Sequence, residues 1–248
     1  MKIALITGAS QGIGASIAKI LNKSKIKVIL VARSRKNLKQ IQKNLTYPKY
    51  SKIISKDLRS LSACKSLNKK VKKINFLMNV AGATKGGHFE KLSDKLWDDG
   101  FNLKFKSALR LSRIFWPTLK RNKGKIINIG GGAGAWEKPL RTFMIGGAVN
   151  SALNHFSKSL ALQGKIDRVS VSIINPGMTL TGRLEKLLKA ESKVTKKSTS
   201  QILKERSKAA KITRPTKPEE VANLVYKLIK DKNSNGKIIK IDGGKVKL

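Results

Sequence analysis

The sequence predicts a doubly wound parallel α/β sheet with helices on both faces, read as one domain over residues 1–248. Three observations predict it. A short apolar run, Ile3-Ala4-Leu5-Ile6, passes through a glycine turn, Thr7-Gly8-Ala9-Ser10-Gln11-Gly12-Ile13-Gly14, into a segment with helical apolar spacing at Ile17, Ala18, Ile20 and Leu21. The next segment holds Ile26, Val28, Ile29, Leu30 and Val31, the near-continuous apolar run of a strand covered on both faces. Strand-like and helix-like segments then alternate, with helices of crossover length, a pattern that puts ligands at the carboxyl ends of the strands.

Taken in order, the first strand, turn and helix carry the clearest chemistry. Three glycines in the turn let the backbone bend tightly and approach a ligand. The helix that follows offers unpaired N–H groups and a partial positive charge to a phosphate, so a dinucleotide is the natural guest. Such a loop is a weak signal alone and a stronger one between a strand and a helix. Past the second strand come Arg33, Ser34, Arg35 and Lys36, and no Asp or Glu precedes Asp57. An acid near this point would hold the ribose 2′-hydroxyl of NAD, whereas an arginine accommodates the 2′-phosphate of NADP, so NADP(H) is favoured over NAD(H).

Leu38, Ile41 and Leu45 mark the second helix, Ser51 to Ser55 the third strand, and Asp57-Leu58 its exit. Leu61 through Val71 reads as a helix, Ile74 to Val80 as a fourth strand ending in Ala81-Gly82, and about Ser93 to Ile114 as a helix. Gly124 to Ile129 is a fifth strand, Ser151 to Ala161 part of the next helix, Pro218 the start of another, and Ile238 to Ile241 the last strand.

Composition bounds the function classes. The formal charge is +40, yet lysines occur in nearly every segment, without the arginine-rich arm or aromatic-interleaved tail of a nucleic-acid module. Nucleic acid is therefore not the expected partner; a small-molecule substrate is, and the basicity is compatible with an anionic one. The lone Cys64 precludes an intramolecular disulfide, and no cysteine–histidine cluster suggests a metal, which fits a reducing, cytoplasmic setting. The N-terminal apolar run is shorter than a signal-peptide core, and no stretch approaches the ~20 apolar residues of a membrane span.

With these motifs in order, the chain resembles the short-chain dehydrogenase/reductase family over essentially its whole length. Thr7-Gly8-x-x-x-Gly12-x-Gly14 resembles the cofactor loop, Asp57-Leu58 the adenine contact, Asn79-Val80-Ala81-Gly82 the Asn-Asn-Ala-Gly segment, and Asn102 the helix asparagine supporting a proton relay. Asn175-Pro176-Gly177, with Thr181, resembles the segment that holds the nicotinamide carboxamide, and Asp242-Gly243-Gly244 the closing turn. The resemblance implies a Rossmann-type sheet of about seven strands in the order 3-2-1-4-5-6-7. It also implies a substrate lid at about residues 183–214, and a homo-oligomer, dimer or tetramer. The cofactor residues implied are Gly8, Ser10, Gln11, Gly12, Ile13, Gly14, Arg33, Ser34, Asp57, Leu58, Asn79, Ala81, Gly82, Asn150, Pro176, Gly177 and Thr181.

The chain departs from the family where the family does chemistry. A serine after the fifth strand, a tyrosine on the next helix and a lysine four residues later are replaced, on alignment of Ser151–Ala161, by Gly131, Gly146 and Asn150. A two-residue shift would put Met144 and Ala148 there instead, and the tyrosines, Tyr47, Tyr50 and Tyr226, all lie elsewhere. Losing a positioned acid costs ~10²–10⁴ in rate. Candidate substitutes are His88 and Lys138, ahead of Lys85, Glu137 and Arg141; Asn150 is placed to bond a ribose hydroxyl, and His155 reads as a packed or partly exposed helix histidine. Three functions follow: an NADP-dependent oxidoreductase of a small carbonyl or alcohol with a non-standard proton donor, a catalytically silent NADP-binding sensor or subunit partner, or a non-redox lyase or isomerase on the same fold.

Overall fold

A parallel sheet forms because its central strands are too apolar to face water on either side. In the computed structural model, which describes residues 1–135 and 139–247, β1 (Ile3–Thr7) is buried at four of five positions and β2 (Lys27–Ala32) at four of six. The other strands are β3 (Ser51–Ser55), β4 (Phe76–Asn79), β5 (Lys125–Ile129), β6 (Ser170–Pro176), β7 (Ile238–Asp242) and β8 (Lys245–Lys247). They lie in the order β3-β2-β1-β4-β5-β6-β7-β8. The reversal on either side of β1 is the switch point at which the sequence places the ligand.

One correction concerns the strand count. The chain makes an eighth strand, β8, antiparallel to β7 through Asp242↔Lys245, Ile241↔Val246 and Lys240↔Lys247. Gly243 and Gly244 both adopt positive φ, +56° and +79°. They form the two-residue turn with positive φ at both central positions that joins hairpin strands without splaying them.

The core lies on both faces of the sheet. On one, α1 (Gly12–Lys23) and α9 (Pro218–Lys230) bury Ile17, Leu21, Val221 and Val225 against Ala4, Ile6, Val28 and Leu30. On the other, α3 (Leu61–Lys70) and α5 (Ser107–Arg121) bury Cys64, Leu67, Leu111 and Phe115 against Leu5, Leu77 and Ile126. Alternation along β1, with Ala4 and Ile6 to one side and Leu5 to the other, is the period-2 signature of a strand sandwiched between helices.

The remaining helices are α2 (Arg35–Lys43), α4 (Asp94–Gly100), α6 (Met144–Asp167), α7 (Gly182–Thr195) and α8 (Thr199–Ala209). Between α4 and α5 the helix passes through a π-helical stretch, Phe101–Lys106, in which the Ser107 N–H donates to the Asn102 carbonyl. Such π turns shift the helical face by one position and recur at functional sites. Among the described residues no helix is long and apolar enough to cross a membrane, and no group of three or more His, Cys, Asp or Glu residues is placed to hold a metal.

Candidate functional site

The cradle is built first by the glycine turn. Gly8 and Gly12 sit at φ +65° and +53°, a region that L side chains avoid. A Cβ on Gly8 would stand 3.0 Å from the Ala81 backbone, and one on Gly14 would stand 2.3 Å from the Gly8 carbonyl oxygen. The turn therefore brings β1, α1 and the exit of β4 to one point. Thr7 Oγ1 reinforces it by accepting the N–H groups of Val80 and Ala81 at 2.9 and 3.0 Å. Gln11 precedes α1 with no side-chain capping bond, and the first turn holds no acid. The helix start thus keeps N–H groups for an anion, and the glycine cradle and donor set fit a dinucleotide pyrophosphate. Ser10 is half-buried and Ile13 packs partly against the core beneath the turn.

The other predicted cofactor residues fall into three groups. Thr181 is brought to the turn: its methyl stands 3.2 Å from where a Cβ on Gly12 would be. Pro176 and Gly177 end β6 beside it, the Pro176 carbonyl accepting the Gly132 N–H at 2.9 Å and the Gly177 N–H donating to Ile241 at 2.8 Å. Arg33 is exposed at the end of β2, and Ser34 caps α2 by accepting the Asn37 N–H at 3.2 Å. Asp57 is exposed but ion-paired to Arg59 at 2.6 Å, while Leu58 is buried. Asn79 lies within the sheet, 5% exposed, donating to Asn128 Oδ1 at 2.8 Å, and Asn128 in turn donates to Ser157 Oγ at 2.8 Å.

At the β5–α6 end the space beside Gly146 and Gly131 is occupied. A Cβ on Gly146 would fall 2.1 Å from Cε1 of Phe143, so the Phe143 ring lies where a side chain at 146 would begin. A Cβ on Gly131 would fall 2.7 Å from Nδ2 of Asn150, so the Asn150 amide lies over the glycine backbone. That amide donates to the Ala133 carbonyl at 2.7 Å, and its Oδ1 is buried without a partner among the described residues. A buried acceptor left open costs ~1–3 kcal/mol unless a donor arrives, and a ribose hydroxyl is one.

The proton-donor candidates are dispersed. His88 is exposed at the start of a short 3-10 turn, Phe89–Lys91. Lys85 and Arg141 are also exposed. Glu137 and Lys138 lie outside the described residues. Asn102 is half-buried on the π-helical stretch, and its side chain makes no hydrogen bond among the described residues.

The residue that reaches the strand ends from this helix is Lys104. Its Nζ donates to the Gly130 carbonyl at 2.8 Å, and its Cδ stands 2.9 Å from where a Cβ on Gly82 would be. Burial, with the Arg183 guanidinium adding repulsion, lowers its pKa to about 7. The signal was present in the sequence: Lys104 heads the stripe Ala108, Leu111, Phe115, all buried, where a lysine is out of place. Arg183, on the first turn of α7, donates to the Thr84 carbonyl at 3.1 Å and lies 5.8 Å from the centre of the Phe143 ring.

Comparison with known proteins agrees with this geometry. The family model for short chain dehydrogenases matches residues 2–192. An uncharacterised oxidoreductase of Bacillus subtilis is 29% identical over 98% of this chain and 95% of its own. A 3-oxoacyl-[acyl-carrier-protein] reductase of Buchnera aphidicola is 31% identical over 98% and 96%. Among solved structures, L-sorbose reductase from Gluconobacter frateurii, complexed with NADPH and L-sorbose, superposes with a TM-score of 0.89 at 28% identity, covering 98% of this chain and 95% of that one. An actinorhodin polyketide ketoreductase with NADPH gives 0.89 at 25% identity, covering 98% and 96%.

Proposed function

The chain belongs to the short-chain dehydrogenase/reductase family, and from that premise we propose that it is an NADP-dependent oxidoreductase of a small carbonyl or alcohol substrate, working with a proton donor other than tyrosine. The observation that carries the reading is the acid-free end of β2. Arg33 is exposed there, and the first carboxylate beyond it, Asp57, is held by Arg59 at 2.6 Å. That arrangement favours a 2′-phosphate over a 2′-hydroxyl. The names of the similar structures, two of them bound to NADPH, point the same way.

The Gly12–Gly14 backbone and the start of α1 would hold the pyrophosphate, Arg33 the 2′-phosphate, Asn150 Oδ1 a ribose hydroxyl, and Pro176, Gly177 and Thr181 the nicotinamide end. The bound cofactor supplies the hydride. The residues of this chain orient the substrate and move the proton, with α7 and α8 acting as the lid. A second reading, a silent NADP-binding protein, draws on the Phe143 ring occupying the start of the Gly146 side-chain position.

Titration of the purified protein with NADPH and NADH, followed by reduced-nicotinamide absorbance with a panel of carbonyl compounds, tests the proposal. We expect NADPH to bind more tightly than NADH and Arg33→Asp to weaken NADPH by about 10–100-fold, the ~1.5–3 kcal/mol of a charge-assisted contact. NADH binding should change far less. Turnover of any carbonyl separates the enzyme from the silent binder, and failure to bind either nucleotide sinks both readings.

A further inference from the structure

Two cations meet at the chemical end of the groove. Lys104 is threaded against Gly82, the residue at which β4 opens into its loop, and Arg183 is fastened to Thr84 two residues further along that loop. Two residues of chain span at most ~7 Å, so both anchors lie on one short segment. The same segment is drawn to Phe143 on its other side: the Gly87 N–H donates to the Thr142 carbonyl at 2.9 Å. Lys104 and Arg183 are thus tied to one loop, with the Gly130 carbonyl beside the first and the Phe143 ring near the second.

Neither cation has an anion among the described residues. No carboxylate among the described residues forms an ion pair with Lys104 or Arg183, whereas Arg59, Lys120, Lys197, Arg206, Arg214 and Lys237 all have one. Their donors are also underused. One of the three ammonium N–H groups of Lys104 is taken by Gly130, and of the five guanidinium N–H groups of Arg183 only those on Nη2 are engaged, by Thr84. What sets the two apart from the lysine-rich surface is that each is fastened to a backbone carbonyl near the same loop, Lys104 to Gly130 and Arg183 to Thr84. Lys104 is half-buried and Arg183 exposed beside it; two like charges held side by side repel, and a bound anion removes that cost. The depressed Lys104 ammonium is the same repulsion and burial seen from the proton's side.

We propose that Lys104 and Arg183 form an anion-binding site for a carboxylate or phosphate carried by the substrate, which makes the substrate an anionic carbonyl or alcohol. Arg183 presents a planar fork, 5.8 Å from the centre of the Phe143 ring and suited to a two-oxygen anion, and Lys104 adds a point charge. The glycines at positions 131 and 146 bring no hydroxyl of their own. The substrate class rests on the oxidoreductase reading; the anion site itself does not.

Isothermal calorimetry on the NADPH-loaded protein tests it, with oxamate and inorganic phosphate as anionic probes and acetone as the neutral one. Lys104→Met and Arg183→Met should each weaken the anions by at least about tenfold, the loss of one charge-assisted contact, with Lys104→Arg recovering most of it. NADPH affinity should stay within about twofold. Equal anion binding in wild type and both variants overturns the proposal, as does preference for acetone. A tenfold loss of NADPH affinity in the variants also overturns it, by assigning the site to the phosphates of the dinucleotide. If the wild type binds no NADPH, the oxidoreductase reading fails separately. Phosphate binding to the unloaded protein then decides the site: loss in Lys104→Met upholds it, and no loss rejects it. Trace acetylation read by mass spectrometry gives a measure independent of activity, with Lys104 expected to react faster than surface lysines near neutral pH and to be shielded by phosphate.

Discussion

The two ends of the groove have met different fates. At the β1–α1 end the glycines stand where side chains cannot, a Cβ on Gly14 colliding with the Gly8 carbonyl. At the β5–α6 end the glycines at 131 and 146 are open to side chains, and neighbours have moved in: Asn150 over one, Phe143 over the other. The first end is constrained by backbone geometry, which no nearby substitution can mimic. The second is defined by side-chain functional groups, which another position in the fold can supply or withhold. Binding and chemistry are therefore separable here, and a chain can keep one while rebuilding the other.

The comparison breaks most sharply at Gly14. Gly14→Val should abolish measurable NADPH binding and destabilise the protein by ~1–3 kcal/mol through overpacking, seen as a lower denaturation midpoint and a flat fluorescence titration. If NADPH still binds, the turn is not the cradle.

A smaller effect is expected at the rebuilt end. Gly146→Tyr alone should cost ~1–3 kcal/mol, because the new side chain meets the Phe143 ring, and Phe143→Ala in the same chain should recover most of that loss. Denaturant midpoints of the two single variants and the pair give the coupling. Simple additivity would show that Phe143 does not occupy the position.

A third effect is a dependence on pH. Lys104 titrates at about 7 in the fold, against an ordinary 10.5. Between those values the unfolded chain holds the extra proton, so the contribution of Lys104 makes stability rise with pH from about 7 to 10.5. Below that window the cost of the charged ammonium beside Arg183 is fully present; above it the cost is gone. Lys125, lowered by burial, adds the same sign, with Asp231 opposing. The wild type minus Lys104→Met difference in stability isolates Lys104: it should slope upward across the window, and a flat difference would show that the amine is not buried against a like charge.

Much of the fold was legible because burial on both faces leaves a local mark. The apolar runs of β1, β2 and β5, the crossover-length helices and the glycine turn can each be read within a dozen residues, and the structure follows them. The eighth strand was not legible, since Lys245–Lys247 is three residues long and exposed, and its pairing depends on the turn at Gly243 and Gly244. In the site, the absence of serine, tyrosine and lysine at the aligned positions was visible in the sequence, but what took their place was not.

The sequence by itself determined the sheet, the position of the cradle and the acid-free end of β2, because periodicity, glycine and missing charge act over a few residues. Only the tertiary structure decided the other end. The bond from Lys104 to Gly130 spans 26 positions and that from Arg183 to Thr84 spans 99. Local patterning can say that a side chain is buried or a glycine is bare; which distant group arrives beside it depends on how the elements pack.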